Sequence, residues 1–399
     1  MVKRKIVTMP GDGIGRVVLE EALRVLDASG FKADYIEGDI GWEFWCREGD
    51  PLPKRTIDLL EEHRVGLFGA ITSKPKDAAL AELDPGLRDK GLVYSSPIVG
   101  LRQHFGLDIC LRPCKSYFGN PLNFIRRGPH GEIVEPMVDV AIFRQNTEGL
   151  YGGVEWTNPP QQVYDALMTH PKFKTNFGWA PKEDISVSTR IFTRKMTRRI
   201  LEAAFNHAMK NGYRSVTVCE KPNVIRETSG MMYKMAVEMQ KNEFPHIELW
   251  NTNIDAQMMW LTKNPEDYGV IVAGNMFGDI VSDAFAGLIG GLGFACSAQY
   301  NPDTGVAVFE PTHGSAPKYA SYKVSIVNPI AMIESACMML EYIGDNDKAL
   351  RIRNAIAKVV AEGKVRTYDM MKLTGNQDVI DKGAASTREM ADAIIRELK

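Results

Sequence analysis

The feature that most limits what this chain can fold into is the changing period of its apolar runs. Lys5–Met9 is short and reads as a strand; in Val17–Ala28, which follows, Val18, Leu19, Ala22, Val25 and Leu26 fall on one side of a helix. The change recurs where Thr56–Glu62 reads as helix and Val65–Ile71 as buried strand. Such alternation predicts an α/β architecture. Val138–Arg144, Ser215–Cys219 and Gly269–Ala273 read as further strands. Thr193–Asn211 closed by Gly212, Ala331–Ile343, Ala349–Ala361 and Ala385–Leu398 read as helices. Pro75–Gly91 reads as a charged loop with a short helix around Ala78–Leu83, Arg127–Gly131 as a turn, and Glu155–Ile185 as an irregular arm or insertion.

At 399 residues the chain exceeds what one hydrophobic core usually spans, so two domains or lobes are expected. A net charge of −2 gives no global attraction to nucleic acid or to an anionic membrane. The longest apolar stretch, Val270–Ala295, contains Asn275, Asp279, Ser282 and Asp283, which argues against a membrane span. The basic start, Met1–Val7, lacks a long apolar run before Gly11-Asp12-Gly13 and does not read as a secretory signal. Six cysteines are scattered, and Cys110 with Cys114 has neither a second cluster nor a nearby histidine. Reduced structural thiols of a cytoplasmic protein are expected.

Asp279 and Asp283 stand four apart in Gly278-Asp279-Ile280-Val281-Ser282-Asp283, so on a helix they share a face. Either that face is solvated, or a hard cation such as Mg²⁺ or Mn²⁺ sits between two carboxylates that would otherwise repel. Asp255 is a third ligand or a helix cap. Arg102, Arg112 and Arg144 each follow apolar residues, a setting suited to bidentate carboxylate binding, although each could instead pair with a structural acid. Lys221, in Lys221-Pro222-Asn223 after a strand, could transfer a proton, as could Tyr151; a surface lysine and a packing tyrosine are the plainer readings. The small residues of Thr312–Tyr319 would let backbone N–H groups approach a phosphate. Gly11-Asp12-Gly13-Ile14-Gly15 lacks the spacing of a dinucleotide fingerprint.

Taken in order, Gly11–Gly15, Leu101-Arg102, Leu111-Arg112-Pro113, Phe143–Tyr151, Lys221-Pro222-Asn223, Gly278–Asp283, His313–Pro317 and Thr367-Tyr368-Asp369 resemble the isocitrate/isopropylmalate dehydrogenase family of β-decarboxylating dehydrogenases. The resemblance implies an α/β fold of that family's kind, distinct from a Gly-x-Gly-x-x-Gly Rossmann fold. It implies a large domain from 1–108 and 290–399, a small domain from 109–148 and 194–289, and a dimer-forming arm over 149–193. It also implies a homodimer with shared active sites, in which Asp279 and Asp283 of one subunit and Asp255 of the other hold Mg²⁺ or Mn²⁺. Ser96, Arg102, Arg112 and Arg144 would bind substrate, and Lys221 and Tyr151 would move protons. Thr72, His313, Gly314, Ser315, Ala316, Lys318, Tyr319, Asn328, Tyr368 and Lys372 would bind the dinucleotide, with Lys318-Tyr319 favouring NADP over NAD. Isocitrate is the expected substrate, from Ser96 and Arg144–Glu148; Ile98 and Val99 lean toward isopropylmalate. No nucleic-acid or membrane partner is expected.

Overall fold

The computed structural model describes residues 3–398, so the first two residues of the basic start lie outside the described part. In chain order the strands are β1 (Arg4–Gly11), β2 (Ala33–Glu37), β3 (Val65–Ala70), β4 (Ile109–Lys115), β5 (Arg126–Arg127), β6 (Ile133–Val134), β7 (Asp139–Gln145), β8 (Glu155–Thr157), β9 (Ser186–Ser188), β10 (Ser215–Glu220), β11 (Glu248–Asn253), β12 (Val270–Ala273), β13 (Cys296–Asn301) and β14 (Val306–Pro311). Ten of them form one sheet in the order β11-β10-β12-β7-β4-β13-β14-β3-β1-β2.

The sheet has two parallel blocks, β11-β10-β12-β7 and β14-β3-β1-β2, and β4 and β13 join them through antiparallel pairs. Parallel neighbours need crossover connections, and these supply the helices that cover the faces. This is why Val270–Ala273 is apolar and fully buried. Within this sheet β4, β7, β10, β11 and β12, from residues 109–273, occupy one half, and the strands at 4–70 and 296–311 the other; β5-β6 and β8-β9 pair separately.

The helix Arg194–Asn211 shows how local sequence sets element ends. The Thr193 hydroxyl accepts from the Met196 N–H at 3.3 Å, and Gly212 closes the helix in the left-handed region. Such a cap contributes about 1 kcal/mol. Ile200, Leu201, Ala204, Phe205 and Ala208 form its buried stripe.

Two readings need correction. The arm is not irregular: β8 and β9 form a hairpin that carries the helices Gln161–Met168 and Pro171–Phe177. The polar and aromatic residues that suggested loop lie on short helices with few buried positions, which therefore lack a core-facing stripe. The Pro75–Gly91 segment is better ordered than a loop. Its helix is Lys76–Ala81, two residues earlier than expected, and a 3₁₀ turn follows at Pro85–Lys90. The segment docks on the helix Trp42–Glu48, where Trp45 Nε1 donates to the Ala79 carbonyl at 2.9 Å and Trp42 Nε1 to Glu82 at 2.7 Å.

A candidate active site on one face of the sheet

Strand register decides which side chains meet. Arg144 of β7 lies opposite Cys110 of β4, and Cys110 lies opposite Gln299 of β13. Side chains alternate faces along a strand, so Arg112, two residues from Cys110, shares the face of Arg144 and Gln299. Glu310 of β14 pairs with Ser297, two residues from Gln299, and joins the same face. The helices Pro97–His104 and Asn275–Leu288 carry the residues that complete it.

Asn275–Leu288 packs unusually close to β7. A β-carbon at Gly278 would lie 2.7 Å from the Arg144 side chain, so only glycine permits this approach. Asp279, the next residue, therefore reaches both arginines. Arg112 Nη1 donates to Asp279 at 3.0 Å, to the Ser282 hydroxyl at 2.8 Å and to Asp283 at 3.4 Å. Arg144 donates from Nη1 to Asp279 and from Nε to Asn275 at 2.9 Å. Arg102 donates from Nε to Gln299 at 2.5 Å, with Nη2 3.5 Å from Glu310.

Charge is concentrated here, and Arg112 and Arg144 are themselves buried. Burial, together with the neighbouring Arg112 and Arg102, pulls the Arg144 guanidinium down to about 10, so it stays cationic at neutral pH. Burial pushes the Asp283 and Glu310 carboxyls up, against the pull of these arginines. Among the described residues, Arg102 Nη1, Arg112 Nη2 and Arg144 Nη2 have no protein acceptor. Asp279 and Asp283 each keep one oxygen free of hydrogen bonds. The face thus offers three unspent cationic donors beside two unspent carboxylate oxygens.

The other predicted site residues fall into three places. Tyr151 is half exposed, with Arg144 5.7 Å from its ring centroid. Ser96 precedes Pro97–His104 and its side chain makes no cap hydrogen bond; Ile98 and Val99, one turn before Arg102, flank it on that helix. Lys221 and Asp255 pair with each other, at the ends of β10 and β11, and neither bonds to the arginine cluster. Among the described residues, no three His, Cys, Asp or Glu side chains gather around one point.

The predicted dinucleotide residues converge along a second line. Gly13 has φ +59°, and a β-carbon there would collide with the Ser315 carbonyl oxygen. Ile14 already donates its N–H to that oxygen at 2.9 Å, and Asp12 accepts from the Thr72 N–H at 2.8 Å. The first glycine loop is therefore a clasp between β1, Thr72 and the His313–Pro317 loop. Thr72 and Ser315 share a hydroxyl contact of 2.6 Å. Gly314 is exposed beside them, and Ala316 takes φ +40°. His313 is held neutral by burial, and its Nε2 is covered with no partner. Lys318 Nζ donates to the Gly375 carbonyl at 3.0 Å, Tyr319 packs 5.6 Å from Tyr368, and Asn328 donates to Asp369 at 3.1 Å. Lys372 is exposed at φ +56°. All six cysteines are free thiols.

A sequence profile described as isocitrate/isopropylmalate dehydrogenase matches residues 5–394. The chain belongs to that family. It is 38% identical over 393 residues to Protein DlpA of Legionella pneumophila, which covers 98% of this chain. This chain spans only 58% of DlpA's length. The 3-isopropylmalate dehydrogenase of Methanothermobacter thermautotrophicus is 35% identical, with both chains covered in full. The crystal structure of isocitrate dehydrogenase from Methylococcus capsulatus superposes with a TM-score of 0.80 at 32% identity, covering 99% of each chain. Membership in the isocitrate/isopropylmalate dehydrogenase family accounts for the mixed sheet and for the order of the sequence blocks.

Sequence reading found Asp279 and Asp283 but missed Asn275, Gln299 and Glu310 as partners of the arginines. Asn275 stands one turn before Asp279, a spacing that could have suggested a shared face. Glu310 was detectable only as a lone polar residue in an otherwise apolar strand, and Gln299 is one of several polar residues in its own.

Proposed function

We propose that this chain catalyses the metal-dependent oxidative decarboxylation of isocitrate, reducing NADP, as a homodimer with shared active sites. The observation that carries this reading is the convergence of Arg102, Arg112 and Arg144, each with a terminal nitrogen unspent, beside the free oxygens of Asp279 and Asp283. A substrate with several carboxylates matches the first set, and a hard cation matches the second.

The donor set fits Mg²⁺ or Mn²⁺ incompletely within one chain. Such ions take roughly six or more oxygen ligands. Asp279 and Asp283 supply two carboxylates, and Asp255 of a second copy, substrate and water would supply the rest. The arm supports association: Trp179 is 80% exposed, and Phe177, Ile191 and Val154 of the same segment are exposed too. An isolated hairpin with so much apolar surface calls for a partner. We assign the large domain to 1–108 and 290–399, the small domain to 109–148 and 194–289, and the arm to 149–193.

When bound, the cation would polarise the substrate oxygens and the dinucleotide would accept hydride. The three arginines orient the carboxylates, with Ser96 at the distal one. Lys221 moves the hydroxyl proton, and Tyr151 returns a proton to the carbon that loses CO₂. His313, whose Nε2 has no partner among the described residues, and Asn328, held by Asp369, are assigned to adenine, and Thr72 to the nicotinamide. Lys318, with Tyr319 beside it and Tyr368 against Tyr319, suits a 2′-phosphate, and Lys372 is assigned to the same group.

Ile98 and Val99 support a second reading, 3-isopropylmalate or homoisocitrate with NAD, because both are apolar and stand one turn before Arg102 on the same helix. Dinucleotide reduction, followed by absorbance with each acid and each dinucleotide, decides between them. Activity with isocitrate and NADP alone supports the lead reading; activity with isopropylmalate alone rejects it and keeps the site.

A further inference from the structure

We propose that Gln299 is a positioning residue that fixes Arg102 for substrate binding, an inference that rests on the functional reading above. Gln299 is fully buried in β13, where it lies opposite Cys110. Its Oε1 accepts from Arg102 Nε at 2.5 Å and from Asn146 Nδ2 at 2.7 Å. Its Nε2 donates to Glu310, which also faces Arg102. Both acceptor lone pairs are thus used, and the amide has one allowed orientation: flipped, its NH₂ would face two other donors.

The consequence falls on Arg102. With Nε held by Gln299 and Nη2 beside Glu310, rotation of the guanidinium is blocked, and Nη1 is the nitrogen left without an acceptor. Arg102 comes from the helix Pro97–His104, Asn146 from the end of β7, and Glu310 from β14. One amide therefore ties together three elements from both halves of the sheet. Arg112 and Arg144 take their restraints from Asn275, Asp279, Ser282 and Asp283, so loss of Gln299 leaves them in place.

Steady-state kinetics on the purified chain, on Gln299→Met and on the Gln299→Glu/Glu310→Gln exchange, with metal and dinucleotide saturating, tests this. Methionine keeps the length and removes every hydrogen bond. It should raise KM for the acid roughly 10- to 100-fold, with kcat and the dinucleotide KM nearly unchanged. Glutamate keeps an acceptor for Arg102 and Asn146 but sets a carboxylate oxygen against Glu310, so it is combined with Glu310→Gln, which restores a donor between the two; this exchange should recover most of the lost KM. An unmoved acid KM in Gln299→Met overturns the proposal. So does a joint shift of kcat and both KM values with a lowered melting temperature, or a Gln299→Glu/Glu310→Gln exchange no better than Gln299→Met. An unmodified chain that turns over no hydroxy acid rejects the functional reading and this inference together; turnover with an indifferent Gln299→Met rejects the inference alone.

Discussion

Two charged assemblies in this molecule are built in opposite ways. Arg112, Arg144 and Asp279 form a largely buried knot in which Asp279 bridges both arginines and some capacity remains unspent; Asp283, 60% exposed, joins at its edge through Arg112 alone. Lys221 and Asp255 form one ion pair, with the aspartate 67% exposed. Removing a member of the knot leaves an uncompensated charge away from water, whereas an exposed pair contributes little to stability. The contrast teaches that the knot is the part of the site completed within one chain. The pair stands apart, and its chemistry makes sense if it faces the site of another copy.

The largest expected effect comes from the knot. Asp279→Asn should cut turnover roughly a thousand-fold and weaken the metal requirement, because a charged oxygen ligand and the shared acceptor of two arginines disappear together. Near-normal turnover with the same metal dependence rejects the assignment. The pair is tested by mixing. Lys221→Met and Asp279→Asn should each be inactive as homodimers, but refolded together they should regain about a quarter of full activity, since half the dimers then hold one intact site. No recovery in a verified mixture would place both residues in the same chain's site and break the comparison.

A smaller effect belongs to the second line of residues. Lys318→Asp removes a cation that has one backbone acceptor here and adds a repelling charge. The NADP-to-NAD preference in kcat/KM should fall roughly 10- to 100-fold. An unchanged ratio counts against a 2′-phosphate contact at Lys318 and leaves the knot untouched.

The contrast also explains what the sequence disclosed. Asp279, Asp283 and the three arginines were legible because a charge within an apolar run is costly unless it is paired or used. Strands buried on both faces, such as β12, were legible for the same reason. Edge strand β11, with Asn251 and Asn253, and β4, with Arg112 and Pro113, lack that apolar signature. Gln299 and Glu310 acquire meaning only through register across four strands, which no local window contains. The arm was misread because its helices bury few of their own residues.

The smallest effect should come from behind the knot. His207 lies on the helix Arg194–Asn211, on the opposite face of β7, with its ring 5.2 Å from that of Phe143. Burial lowers its pKa below the ordinary 6.5; Lys210 adds to this, and Glu341 and Asp139 oppose it. The folded state thus prefers the neutral ring. The stability this provides is fully present above the unfolded value and is lost as pH falls through the lower folded value. The melting temperature of the unmodified chain should therefore drop between neutral and mildly acid pH, and His207→Gln should flatten part of that drop without changing KM for the acid. If His207→Gln leaves the slope as it was, the acid sensitivity lies elsewhere. If it shifts KM, the two faces of β7 are coupled, and the knot depends on what packs behind it.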